Sequence, residues 1–353
     1  MVGMLMSWLA GGATVVHAQT IHVSLQSDAI EGKPVFWDDR LIAILGRDGQ
    51  LVTFAPSEAR EFRKISDRFQ SHSQSTLRGE LLREFGNGYD VSGTGQFLVV
   101  HPAGQRDRWA ERFQELYRAM QHYLGARGFR REQPEFPFIA VVFPTQQHYM
   151  AYSHQQGTRV GMGTLGHYDP NTNRILMFDV TANQPNSTQW HVNAETIIHE
   201  AAHQTAFNVG VHSRLTTNPR WVVEGLGTMF EAPGVWDARN HPLIQDRVID
   251  AQRALFLRAV NGQNSLDMMA AQVSSDDLFR ASINVAYAHA WALTFYLTEK
   301  QPRQYAEYLE RIRRRPQFGE YPRDERLKDF VAVFGNDLRM LDARVQRFIA
   351  ELP

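Results

Sequence analysis

Cysteine is absent from the 353 residues. That excludes disulfides, thiol nucleophiles, iron–sulfur clusters and cysteine-bound zinc, so any transition-metal site has to be built from His, Asp and Glu. An excess of charge of either sign is also lacking. With 37 Lys and Arg against 38 Asp and Glu, the basic footprint of a nucleic-acid binder is missing and polyanions are not expected partners. Long apolar runs are missing as well. The run from about Met4 to Val16 falls short of the ~18–20 residues that cross a bilayer, so no stable membrane span is expected. Val16-His17-Ala18 then gives a small-x-small pattern ahead of Gln19, which predicts a signal peptide over residues 1–18 and a secreted or periplasmic protein. No Lys or Arg precedes the run; the alternative is a buried N-terminal strand or helix.

What is present, 43% hydrophobic and 21% charged residues, suits a globular chain large enough for one domain with subdomains or for two modest ones. Residues 20 to about 85 alternate short apolar runs with turn residues. In "RLIAILGRDGQLVTFAP" two β-type runs flank Gly46-Arg47-Asp48-Gly49, the pattern of a hairpin. Residues from Pro56 look helical, "QSHSQST" reads as a surface connection, and a boundary near 86–94, within "GNGYDVSGTG", is the best linker. From Gln96 the pattern turns αβ: strands at "QFLVVHP", "FIAVVF" and "NRILMFD", with helices over 107–127 and 145–154. From Asn193 onward it is almost all helix, over 193–209, 219–231, 239–260, 284–300, 303–314, 323–334 and 336–350. The expected division is a small β-containing module over 19–90 and a larger domain over 91–353, αβ to residue 209 and helical from 210.

One helix carries chemistry. Asn193 is placed to cap it, Gly210 to end it, and within it His199-Glu200-Ala201-Ala202-His203 sets two imidazoles one turn apart. An i,i+4 step rotates about 400° and rises about 6 Å, so both rings lie on one face, as two ligands of one zinc ion require. Glu200 projects beside them, where its carboxylate can reach a water at the metal. Catalytic zinc takes three protein ligands and a water. The stretch "NPRWVVEGLGTMFEA" offers the third: Asn218 as cap, Pro219 at the first helical position, and Glu224 inside a second helix. Gly225 and Gly227 weaken that helix, and their expected role is close packing near the metal.

The sequence His199-Glu200-Ala201-Ala202-His203-Gln204, followed by Trp221-Val222-Val223-Glu224-Gly225 and Glu231, resembles the gluzincin metallopeptidases, closest to the peptidase-MA-like domains of bacterial secreted proteins. The resemblance covers about 190–232 in motif and about 96–300 in layout. It implies His199, His203 and Glu224 as zinc ligands, Glu200 as general base, and an α+β, zincin-like domain with a small mixed sheet, an active-site helix and a helical C-terminal part. Gln204 and Glu231 favour the aminopeptidase-like branch. Two features depart from the pattern. There is no GAMEN-type segment to hold a substrate's amino terminus. Thr228 stands where thermolysin-like enzymes place an Asp that orients a zinc histidine, leaving that role to Glu231 or another residue.

The implied activity is zinc-dependent hydrolysis of peptide or protein substrates by an endopeptidase, with Glu200 moving the proton from water to the leaving amine. The oxyanion needs a further donor. Tyr287 is the first candidate, since gluzincins use a Tyr on a helix after the glutamate ligand; His289, His212 and Tyr168 are reserves. The structural alternative for Tyr287 is plain core packing, and for His212 a surface or capping role. "ERIRRRPQ" at 310–317 reads as a solvated helix end rather than an anion site. A zinc amidase acting on cell-wall peptides would use the same residues. A peptidase fold kept only for binding would not need Glu200.

Overall fold

The computed structural model describes residues 19–25, 29–104, 109–180, 190–261 and 265–353, with only the backbone for 190–193. The expected signal peptide therefore lies outside the described residues. The structure is mixed α+β, with two five-stranded sheets and many helices.

The first sheet holds β1 (Thr20–Ser24), β2 (Ala29–Trp37), β3 (Ile42–Gly46), β4 (Leu51–Phe54) and β5 (Glu61–Ser66) in the order β4-β3-β2-β1-β5, antiparallel throughout. The β3–β4 hairpin turns at the expected Gly46–Gly49, where Gly49 takes φ +90°, a conformation that side chains rarely adopt. The helical reading of residues from Pro56 does not hold. After one 3-10 turn, 61–66 pairs as an edge strand with β1, and Phe62 packs on Trp37 at 4.9 Å. Cross-strand pairing overrides local propensity there.

The second sheet holds β6 (Tyr89–Thr94), β7 (Phe97–Pro102), β8 (Phe138–Phe143), β9 (Gly166–Asp169) and β10 (Arg174–Phe178) in the order β6-β7-β8-β10-β9. β7, β8 and β10 run parallel, and β6 and β9 are antiparallel edges. The stretch 86–94, expected as a linker, is a 3-10 turn leading into β6. Every residue of β8 is buried, because the sheet is covered on both faces and successive side chains point to opposite sides. Phe138, Ala140 and Val142 join one core. Ile139, Val141 and Phe143 join another with Leu77, Leu81 and Tyr149, contributed by α1 (Gln74–Phe85) and α3 (Gln146–Gln155).

The first of these cores is shared with α2 (Trp109–Ala126) and α4 (Trp190–Asn208). It continues into a helical layer: α5 (Arg220–Phe230), α6 (Pro233–Trp236), α7 (Asp250–Val260), α8 (Ser265–Ser274), α9 (Asp277–Ala281), α10 (Ile283–Lys300), α11 (Pro302–Arg313), α12 (Arg323–Phe334) and α13 (Leu338–Ala350). The single helix expected over 239–260 is instead a 3-10 turn at Ile244–Arg247 and then α7. Asp246 accepts from the Leu243 N–H at 3.0 Å and Asn240 donates to Asp237, side-chain bonds that hold a turn in place of helix. The arginines of 310–317 pair with carboxylates: Arg311 and Arg315 with Asp329, Arg313 and Arg314 with Glu310. Among the described residues no helix is long and apolar enough to cross a membrane.

The central helix α10 is buried along most of its length and lies against α5. Their approach depends on Gly225: a Cβ there would sit 2.3 Å from Thr294 Oγ1 and 2.5 Å from the Ala290 carbonyl oxygen. Backbone cannot yield as a side-chain tip can. Gly225→Ala is therefore expected to lose about 1–3 kcal/mol despite alanine's better helix propensity; a melting temperature at or above that of the wild type would refute this.

Candidate metal centre

The helix α4 is hung from the second sheet at its inner face. Gln204, fully buried, donates through Nε2 to the carbonyl oxygens of Asn173 at 2.8 Å and Ile139 at 3.1 Å. One turn on, Asn208 and Asn173 exchange amide hydrogen bonds at 2.7 and 3.0 Å. Ile197, Ile198, Ala201 and Ala202 fill the core beneath, so His199 and His203 are held on the opposite side by a rigid element. The helix begins at Trp190, ahead of the Asn193 expected to cap it. It ends at Asn208, and Gly210, two residues on, takes φ +79°, the left-handed conformation that follows a helix end.

The start of α5 differs from the sequence reading. Asn218 does not cap it; its amide instead donates to the carbonyl oxygens of Ser213 at 2.7 Å and Thr216 at 3.0 Å, shaping the connection from α4. The N–H of Arg220 is satisfied by Asp276 Oδ1 at 3.0 Å, a residue 56 positions away that also accepts from Arg326 at 2.9 Å. Only the folded chain brings that cap to the helix.

The two helices bring three donors together. His199 Nε2 lies 2.9 Å from His203 Nε2, and Glu224 Oε2 lies 3.5 Å from the former and 3.7 Å from the latter. The three residues form a group that could hold a metal ion. Gly227 makes the room, since a Cβ there would be 2.8 Å from His203 Cε1 and 2.9 Å from His199 Cε1. Two imidazole nitrogens this close need a proton or a cation between them, and two nitrogens with one carboxylate oxygen is a donor set that suits zinc.

His199 Nδ1 donates to Glu231 Oε1 at 2.7 Å, fixing the ring's orientation and leaving Nε2 to face Glu224. Burial works against a charge on His199, but its hydrogen bonds to Glu224 and Glu231 outweigh this and hold the protonated form well above the ordinary histidine range. The same balance holds Glu224 well below the usual carboxylate range: burial opposes its charge, and His199 and His203 more than compensate. A metal binding here would displace the proton that His199 holds toward Glu224.

Glu224 has two further partners. Tyr287 donates its hydroxyl to Oε2 at 2.8 Å, and Arg220 Nε reaches Oε1 at 3.4 Å. Burial and then the Glu224 charge push the Tyr287 phenol above its usual range, so it stays a donor. Glu200, largely buried, accepts the backbone N–H of Tyr168 in β9 at 2.6 Å. It shares a cavity of ≈ 270 Å³ with His199 and Glu231, walled by Thr164, Leu165 and Gly166. Tyr287 does not line that cavity.

The reserve donors lie elsewhere. The Tyr168 hydroxyl donates to Asn173 at 2.8 Å. His212, expected at the surface, is buried against Phe207 at 5.2 Å, and His289 is buried against Phe256 at 4.9 Å. The sequence reading missed Asp276, Arg220 and the β9 N–H; each acts across a long stretch of chain, and no local pattern marks it.

A family model described as "Protein of unknown function (DUF1570)" matches residues 193–318, a span that includes both site helices and Tyr287. No curated protein matches the chain. Among solved structures, a two-domain M1 zinc metallopeptidase variant bound to L-arginine is similar over 75% of this chain, at 12% identity and a TM-score of 0.32. The chain spans about half of that protein (52%), and a likeness this loose carries no argument about chemistry here.

Two expectations follow from the geometry. Glu231→Gln keeps the shape but removes the charge behind His199, so zinc affinity measured by chelator competition should fall about 10–100-fold; unchanged affinity would mean that Glu231 does not orient the ring. Burial lowers the pKa of His212 to about 3 and of His289 to about 4, from 6.5. Below pH 6.5 the unfolded chain takes up protons that the folded chain refuses, so stability present at neutral pH is lost as the pH falls toward 4. Each histidine contributes about 1.4 kcal/mol per pH unit in that window. Urea midpoints at pH 7.5 and 5.0 should therefore lie closer together in His289→Phe than in the wild type.

Proposed function

We propose that the protein is a zinc-dependent hydrolase of peptide bonds: an exported endopeptidase with a zincin-like, gluzincin-type domain over residues 91–353, a β-containing module over 19–90 and a signal peptide over 1–18. The observation that carries this reading is the convergence of His199 Nε2, His203 Nε2 and Glu224 Oε2, together with a carboxylate, Glu200, in the same cavity as His199.

In this reading His199, His203 and Glu224 hold one zinc ion. The ion supplies Lewis acidity toward a water and toward the scissile carbonyl. Glu231 keeps the His199 proton on Nδ1, so that Nε2 presents a lone pair. Tyr287 and Arg220 hold the Glu224 carboxylate in one orientation. Glu200 accepts the Tyr168 N–H at Oε2, which orients the carboxylate and leaves its other oxygen to take a proton from the attacking water and return it to the leaving amine. Tyr287 is bonded to Glu224, so service as oxyanion donor would require its hydroxyl to turn away. The 164–166 segment, which ends on the first residue of the edge strand β9, walls the cavity beside Glu200.

The test joins metal analysis to cleavage of a peptide library. The wild type should hold one zinc and cleave. Glu200→Gln should keep the zinc and lose about 10²–10⁴ in rate, while His203→Ala should lose the metal. Zinc retained without cleavage by the wild type would favour a binding protein, and cleavage undiminished in Glu200→Gln would sink the mechanism.

A further inference from the structure

A second cavity, of ≈ 490 Å³, lies where the first sheet meets the end of α4 and the connection to α5; its walls include Lys33, Phe207, His212, Arg214, Leu215 and Arg313. Its volume is within the range of small-molecule sites and far above what a single water needs. His212 is 2% exposed, and neither ring nitrogen has a hydrogen-bond partner among the described residues. The Val211 backbone lies nearby but falls short of hydrogen-bond geometry. An imidazole left in that condition costs about 1–3 kcal/mol, a cost that a polar group within the cavity would remove.

The charges around the cavity select the kind of group. Two of its cations are already matched: Lys33 pairs with Glu135 at 2.6 Å and Arg313 with Glu132 at 2.7 Å. Arg214 is not. Its Nε and Nη2 donate to the carbonyl oxygens of Pro170 at 2.5 Å and Asn171 at 3.0 Å, which are neutral acceptors. Among the described residues no carboxylate lies within ion-pair distance of it; Asp48 and Asp169 act on it only from farther off. A guanidinium with no carboxylate paired to it and a neutral imidazole together favour an anionic acceptor. The Phe207 ring and the Leu215 and Leu51 side chains add an apolar wall.

We propose that this cavity binds a small organic carboxylate with an apolar body, the carboxylate received by His212 and Arg214 and the body by Phe207 and Leu215. A free branched-chain acid and the carboxyl end of a peptide with an apolar last residue share this chemistry. The site is separate from the metal centre and does not depend on the hydrolase reading. It does border the Val211–Asn218 connection between the two helices that carry His199, His203 and Glu224.

Calorimetric titration of the full-length protein with 4-methylpentanoate, N-acetyl-leucine and 4-methylpentanamide tests this. Both acids should bind, at least about tenfold more tightly than the amide, and the tighter of the two identifies the source. His212→Phe keeps the contact with Phe207, removes the orphaned nitrogens and leaves the metal ligands untouched; it should fold and bind the acids at least about tenfold more weakly. Leu45→Trp, which narrows the cavity from the first sheet, should weaken binding as well and keeps the test open if His212→Phe does not fold. Absence of binding by either acid, equal binding of the amide, or wild-type affinity in the folded variants would overturn the proposal.

Discussion

A carboxylate largely withdrawn from solvent needs partners, and the arrangement around Glu224 supplies them from three helices. His199 and His203 come from α4, Tyr287 from α10 and Arg220 from the first turn of α5 itself. An isolated charge in that position would be untenable, so the helices must meet closely enough for every partner to reach it. Two glycines on α5 permit the meeting: Gly225 lets the backbone rest on α10, and Gly227 lets the two imidazoles swing over it. The weakness these glycines bring to an isolated helix is offset by the packing they make possible.

The rest of the molecule can be understood as support for that meeting. Gln204 and Asn208 tie α4 to the strand carbonyls and to Asn173, which itself sits in the left-handed region at φ +59°. Asp276, which directly precedes α9, caps α5 and is held there by Arg326. Glu231, just past the end of α5, closes the loop by returning to His199. Each tie joins segments that are far apart in the chain and meet only in the folded molecule.

The first sheet is more than an appendage. Val35, Ala43 and Leu51 form a small core into which Leu215 and Phe318 insert, and the Leu51 N–H bonds the Asn171 carbonyl at 2.7 Å. Contacts of this kind place the sheet against the connection between the two site helices. The buried His212, with neither ring nitrogen hydrogen-bonded, lies at the same junction.

Much of this was legible in the sequence. The unbroken apolar runs in "FIAVVF" and "NRILMFD", the Gly46–Gly49 turn and most helices of the C-terminal part were plain in the sequence, because a strand buried on both faces is apolar throughout and a helix buried on one face repeats its apolar residues once per turn, features that a single element displays by itself. The pair His199 and His203 was legible for the same reason, as an i,i+4 step fixes two side chains to one face. Glu224 and Glu231 could be named as candidates, but their distances to His199 could not. The β5 strand was misread because its pairing with β1, not its composition, makes it extended. Asp276 as a cap, the Tyr168 N–H on Glu200, the engagement of Tyr287 with Glu224 and the burial of His212 were decided only by tertiary structure. Each is a contact between segments far apart in the chain, set by how whole elements pack, and no local period encodes it.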